Sequence, residues 1–285
     1  MRPGSTIRKW VDMGAADWLR TNGWNPHHDT VILIHGYGGQ EGSFPMVVLR
    51  DAYLSNGRYN VFTVDWGSLC QPPCYAAAVH NMKPVARCVS HLFTFLRDSG
   101  VLLHRTTCVG HSLGAHVCGL ASLNLFFRMH RIIALDPARP LVWGANKLRD
   151  VDANVVQVIH TNAGQFGEAG RLGTVDFCVN GGRVQPTCFN KTNVALCSHV
   201  TAVCYMAESV NPATARVAVP CSSRRCLSGS RRPDAYTGMG EPVVMGQHTP
   251  DRATGTFCVS NEDEPFCPAA AGAVGDVRCC SHRWI

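Results

Sequence analysis

A chain of 285 residues, 46% hydrophobic and 16% charged, is long enough to bury a sizeable core as one large α/β domain or two small ones. It holds no internal repeat, no low-complexity linker and no 18-residue apolar run, so no membrane-spanning helix is expected. The net charge of +6 is modest, and the basic residues are scattered apart from Arg224-Arg225 and Arg231-Arg232; nucleic acid is not an expected partner, whereas an anionic lipid surface suits the balance.

In chain order, residues 30–35 (Thr-Val-Ile-Leu-Ile-His) are a continuous apolar run ended by Gly36-Tyr37-Gly38-Gly39, the pattern of a buried parallel strand entering a glycine loop. A second strand, 60–65, ends at Trp66-Gly67. Residues 75–98 read as helical, with Val79, Val85, Val89, Leu92, Phe93 and Leu96 on one face, and Pro84 predicts a kink or two helices there. Residues 105–109 can be a strand and 113–127 a helix; 131–135 is a short strand ending at Asp136-Pro137, and 154–160 is a β-branched strand. This alternation predicts a mostly parallel sheet with helices on both faces. Past His160 the chain becomes glycine-rich and looped; 197–209 restores a helix, and 257–259 reads as a late strand. We expect one α/β domain over 1–267 and leave the tail, 268–285, unassigned.

The chemistry centres on Cys108-Val109-Gly110-His111-Ser112-Leu113-Gly114-Ala115-His116. Gly110, Ser112 and Gly114 fit G-x-S-x-G, the nucleophile elbow, in which a strained strand-to-helix turn lifts the serine hydroxyl clear of the backbone. A serine nucleophile needs a histidine base, a carboxylate to orient it, and two backbone N–H groups aimed at the oxyanion. In the elbow fold these follow in the order Ser, acid, His. Asp136 lies 24 residues after Ser112 at the end of the next strand and is the favoured acid; Asp176 is the runner-up, and Asp65 fits the order poorly. Of thirteen histidines, His111 and His116 are too local to the elbow to serve as base, and His160 reads as a buried structural histidine; His199, at a loop-to-helix junction, is favoured.

Fifteen cysteines without a paired C-x-x-C zinc pattern point to disulfides and an oxidising compartment, and the odd number leaves at least one thiol without an intrachain partner. Several lie at short spacings: Cys70/Cys74, Cys188/Cys197 and Cys221/Cys226. The first fourteen residues lack the apolar core of a signal peptide. Because the cysteines and the sequon Asn190-Lys191-Thr192 both argue for export, an incomplete N-terminus and a secreted protein are the expectation.

The sequence resembles the pancreatic-type lipase family, including its insect and venom phospholipase A1 branch. The matching pieces are Ile34-His35-Gly36-Tyr37, Val64-Asp65-Trp66-Gly67, Gly110 to His116, Ala134-Leu135-Asp136-Pro137-Ala138, Val158-Ile159-His160-Thr161-Asn162, Gly173-Thr174-Val175-Asp176-Phe177, Asn180-Gly181-Gly182 and Cys197-Ser198-His199, in order over about residues 22–266. The resemblance implies an α/β-hydrolase fold, Ser112, Asp136 and His199 as a catalytic triad, and the N–H groups of Tyr37 and Leu113 as the oxyanion hole. It also implies a lid closed by a Cys188–Cys197 disulfide.

Only eight residues lie between those cysteines, too few for the amphipathic lid helix of the family's triacylglycerol lipases, so a phospholipase A1-like substrate is favoured. The sequon at Asn190 falls inside this lid. The family's calcium-binding stretch keeps only Asp150 and Asp152, so no metal and no cofactor is expected. The C-terminal sandwich that binds a protein cofactor has no counterpart, so no colipase-type partner is expected; the expected partner is a phospholipid or glyceride at a lipid surface. The reading is therefore a secreted serine hydrolase of lipid carboxylic esters. Its alternatives are a non-catalytic lipid-binding or storage protein on the same fold, and an intracellular esterase or thioesterase sharing only the elbow.

Overall fold

The computed structural model describes residues 8–221, 226 and 240–265. The expected tail, 268–285, lies outside the described residues. After a short helix α1 (Trp18–Thr21), the chain lays down β1 (Asp29–Ile34), α2 (Met46–Asn56), β2 (Tyr59–Val64), α3 (Tyr75–Asp98), β3 (Thr106–His111), α4 (Leu113–Ser122), β4 (Met129–Leu135), β5 (Ala153–His160) and β6 (Val175–Val179). Then come α5 (Val194–Ser209), β7 (Val217–Pro220), β8 (Val243–Val244) and β9 (Gly255–Val259). The strands form one sheet in the order β2-β1-β3-β4-β5-β6-β9-β7-β8. Pairing is parallel from β2 through β9, and antiparallel for β7 with β9 and with β8. This is the expected α/β-hydrolase architecture with a mostly parallel sheet.

Successive side chains of a strand face opposite ways, which is why apolar runs here feed two cores. In β1, Ile32 and Ile34 join the core under α3 and α4, with Met82, Phe93 and Val117. Val31 and Leu33 join the other, under α2 and α5, with Leu49, Tyr53 and Met206. Helices therefore cover both faces. Parallel strands also bring their C-terminal ends to one edge, where open α/β sheets carry their functional groups.

One expectation is resolved and one corrected. Residues 75–98 are one helix rather than two, with Pro84 inside it. Pro84 and His80, whose carbonyl the proline leaves without a helical donor, are both exposed, while Met82, Val85 and Ala86 stay buried. The helix after the elbow ends at Ser122 rather than 127.

Among the described residues, disulfides join Cys108–Cys118, Cys178–Cys226, Cys188–Cys197 and Cys221–Cys258. The close spacing of Cys221 and Cys226 is therefore not a bond, since each ties a different part of the sheet's far end. Cys70, Cys74 and Cys88 are free thiols.

Candidate active site

The elbow forms where β3 runs into α4. Ser112 adopts φ 57° and ψ −120°, a conformation that costs about 1–3 kcal/mol and persists only when its surroundings over-determine it. The glycines show how. A Cβ on Gly110 would stand 2.3 Å from the Gly114 carbonyl oxygen, and one on Gly114 would stand 2.3 Å from that of Ile34. Strand and helix thus approach more closely than any side chain permits. Ser112 N–H donates to the Leu135 carbonyl (3.0 Å), and its own carbonyl accepts from Ala115 and Ala138 (3.2 Å each). The Cys108–Cys118 bond, wholly buried, joins strand to helix across the turn.

Asp136 follows β4, the neighbouring strand, and is fully buried. One carboxylate oxygen, Oδ1, accepts the N–H groups of Thr161 (2.9 Å) and Asn162 (3.0 Å) just past β5. The other, Oδ2, lies 2.6 Å from His199 Nδ1. A carboxylate only accepts, so Nδ1 donates, and Nε2 is the nitrogen that Asp136 leaves free. Gly167 closes the pocket around the acid: a Cβ there would fall 2.4 Å from Asp136 Oδ1.

A glycine loop backs the serine. A Cβ on Gly36 would meet Ser112 Cβ at 2.6 Å, so the backbone leading to Tyr37 lies directly against Ser112. Buried His35 fixes this loop: its Nδ1 donates to the Gly36 carbonyl (2.9 Å), and its Nε2 accepts from Trp66 N–H (3.0 Å). That leaves His35 neutral although Asp65 lies 3.3 Å away, and burial accordingly holds its pKa below the ordinary histidine value. The N–H groups of Tyr37 and Leu113 have no hydrogen-bond partner among the described residues.

The competing residues have other partners. Asp176 receives His160 Nε2 (2.9 Å) and the N–H groups of Leu172 and Gly173 (3.1 Å each), while His160 Nδ1 donates to the Glu168 carbonyl (3.0 Å). Burial alone would lower His160, but the hydrogen bond and charge of Asp176 outweigh it and hold the imidazole above its usual value. His116 Nε2 donates to the Ala138 carbonyl (2.7 Å) and its Nδ1 accepts from Leu148 N–H (3.0 Å); burial pushes it down to about 4.

Two contacts escaped the sequence. His111 Nε2 lies 3.2 Å from the His199 carbonyl, and the two rings pack with centroids 4.6 Å apart. Phe166 packs against the same imidazole at 5.7 Å. Burial, then the charge of His199, keeps His111 neutral to well below the ordinary histidine range. A histidine next to the elbow serine was visible, but its partner is 88 residues away.

Cys188 and Cys197 are bonded and enclose eight residues that form a turn and the first turn of α5, capped by Asn193, whose side chain accepts from Leu196 N–H at 2.9 Å. Asn190 is exposed on this turn. Asp152 is engaged by the Arg149 backbone (2.8 Å) and guanidinium (2.9 Å). No group of three or more His, Cys, Asp or Glu among the described residues is arranged to hold a metal ion.

A family model described as Lipase matches residues 8–237. The chain belongs to the lipase family. It is 34% identical over 256 residues to lipase member H of Danio rerio, covering 84% of this chain and 56% of that protein. It is 30% identical over 260 residues to a phospholipase A1 of Vespa crabro (85% and 83% covered) and 28% identical over 249 residues to one of Vespula maculifrons (80% and 82%). This lipase-family chain thus spans just over half the length of the fish relative and about four-fifths of the wasp proteins.

Proposed function

We propose that the protein is a secreted serine hydrolase of lipid carboxylic esters, phospholipase A1-like in its substrate, with Ser112 as nucleophile, His199 as base and Asp136 as the orienting acid. The observation that carries this reading is the buried 2.6 Å hydrogen bond from His199 Nδ1 to Asp136, because it orients the imidazole by one nitrogen and leaves Nε2 to act as the base. Ser112 Oγ attacks the acyl carbonyl as His199 Nε2 takes its proton. The tetrahedral oxyanion is stabilised by the N–H groups of Tyr37 and Leu113, and His199 then gives the proton to the departing glycerol oxygen. A water activated by the same imidazole releases the fatty acid and regenerates Ser112. The short, disulfide-closed turn just before His199 supports a phospholipid rather than a triacylglycerol, as do the wasp relatives named phospholipase A1. The disulfides and the exposed Asn190 support export and glycosylation at that residue.

The test compares fatty-acid release from phosphatidylcholine, monogalactosyl lipid and triolein emulsions by the native protein and by Ser112→Ala. Loss of nearly all turnover in the variant, with phospholipid the preferred ester, is the expected result. An active Ser112→Ala protein sinks the nucleophile assignment, and triolein cleaved far faster than phospholipid sinks the short-lid argument.

A further inference from the structure

The loop 139–147, which follows β4 and Asp136, exposes two large apolar side chains to water. Leu141 is 43% and Trp143 68% exposed, while Val142 between them is fully buried. Leu141 also holds φ at +57°, a left-handed conformation that a bulky residue rarely adopts. This is not a slack loop. One buried imidazole, His116, binds both its ends, through the Ala138 carbonyl and the Leu148 N–H. Tyr75 hydroxyl donates to the Pro140 carbonyl at 3.0 Å. The fold thus fixes, under backbone strain, two side chains that water disfavours.

The position of the loop says what should cover them. It starts at the nucleophile, where Ala138 N–H donates to the Ser112 carbonyl, and Arg139 N–H donates to the carbonyl of Phe166, whose ring packs on His199. Tyr75, which holds Pro140, packs edge-on against Tyr37 of the glycine loop, centroids 4.9 Å apart. Exposed Leu69 lies beside that loop too, next to Cys70, whose carbonyl accepts Gly38 N–H. The Arg139 guanidinium donates to the Gly164 carbonyl and has no ion pair with a carboxylate among the described residues, which leaves its remaining donors for a phosphate.

We propose that Leu141 and Trp143 are an apolar anchor, flanked by Arg139, that seats the catalytic mouth on a phospholipid bilayer. The inference rests on the lipid-ester reading above. Tryptophan suits the bilayer interface because it joins a large apolar ring to one N–H donor. Because the anchor lies outside the Cys188–Cys197 turn, docking needs no lid opening.

The experiment uses the full chain in a Ser112→Ala background, so that vesicles are not consumed. Binding to phosphatidylcholine vesicles carrying a minor fraction of phosphatidylglycerol is measured by flotation. Replacing Leu141 with Asn, which tolerates positive φ, and Trp143 with Ser should lower partitioning by about 100-fold. The same two changes in the Ser112-intact protein should leave turnover of a soluble short-chain ester within about twofold. A second arm avoids any change in loop stability. Brominated phosphatidylcholine should quench the Ser112→Ala protein, and Trp143→Phe should abolish most of that quenching. Unchanged partitioning, quenching that survives Trp143→Phe, or a loop variant that only dissociates a dimer while binding vesicles normally overturns the proposal. If instead Ser112→Ala hydrolyses esters normally, the catalytic reading fails, while vesicle binding still reports on the anchor.

Discussion

Replacing Gly167 with alanine tests how the acid is held. The new Cβ would stand 2.4 Å from Asp136 Oδ1 and 2.5 Å from both Cγ and Oδ2, whereas ordinary contact begins at 3.4 Å. Something must therefore move by about 1 Å. Gly167 is tied in place by its N–H to the Asn162 carbonyl (3.1 Å) and by the Gly164 N–H to its own carbonyl (2.8 Å), so the carboxylate is the side expected to yield. A displacement of about 1 Å in a catalytic group costs about 10²-fold in rate, or about 2.7 kcal/mol of transition-state stabilisation. The assay is hydrolysis of a soluble short-chain ester, with active sites counted by fluorophosphonate titration so that misfolded protein does not enter kcat. We expect kcat per titrated site to fall about 100-fold with little change in KM, toward the roughly 10⁴-fold loss that serine proteases suffer when the triad carboxylate becomes an amide. A Gly167→Ala enzyme with native kcat per site refutes the reasoning, because the loop rather than Asp136 would have given way.

Other predictions follow from the same geometry. His111→Phe keeps a ring beside His199 but loses the hydrogen bond to its carbonyl, and should lower kcat per site about 10-fold with KM nearly unchanged; a native value would reduce His111 to packing. His35, His111 and His116 are held neutral in the fold with pKa values below the unfolded 6.5, so the unfolded chain binds more protons and stability should decline as pH falls from about 6.5 toward 4, by up to about 1.4 kcal/mol per pH unit for each histidine. His160, raised above 6.5, acts on the other side of that value: its contribution is complete below 6.5 and is lost as pH rises through its folded value, so it leaves the fall between 6.5 and 4 untouched. Urea denaturation at pH 6.5, 5.5 and 4.5 should show this fall, and a flat profile would contradict it. Replacing both Cys108 and Cys118 with serine opens a short loop across the elbow and should cost about 2–4 kcal/mol of unfolding free energy in the same assay.

The central strands were legible because β-branched, two-sided apolar runs such as Val31 to Ile34 have few alternatives to a buried parallel strand. Helix α2 was not. It is short, and Val47-Val48 blur its period even though Val48, Leu49, Ala52 and Tyr53 share its buried side. Pro84 left a kinked helix and two helices both open, because a proline's cost depends on the surroundings of the carbonyl it orphans, which the sequence does not say. In the site, Ser112, Asp136 and His199 could be picked out as candidates because chain order and strand ends constrain them. The structure brings Asp136 and His199 together through hydrogen bonding. The shell around them could not be named. Gly167 is one of many glycines in a loop-rich stretch until Asp136 is seen against it, and the contacts of His111 and Phe166 with His199 join distant parts of the chain. Disulfide partners were equally opaque: Cys188 and Cys197 pair locally, whereas Cys221 and Cys226 each bond elsewhere.

The most direct test of the central claim is covalent. The native protein is treated with an active-site fluorophosphonate, digested and mapped by mass spectrometry, with Asp136→Asn and His199→Ala treated in parallel. The account predicts close to one label per chain, on Ser112, formed far more slowly in both variants. Failure of the native protein to react, or equal labelling of native protein and variants, would contradict it.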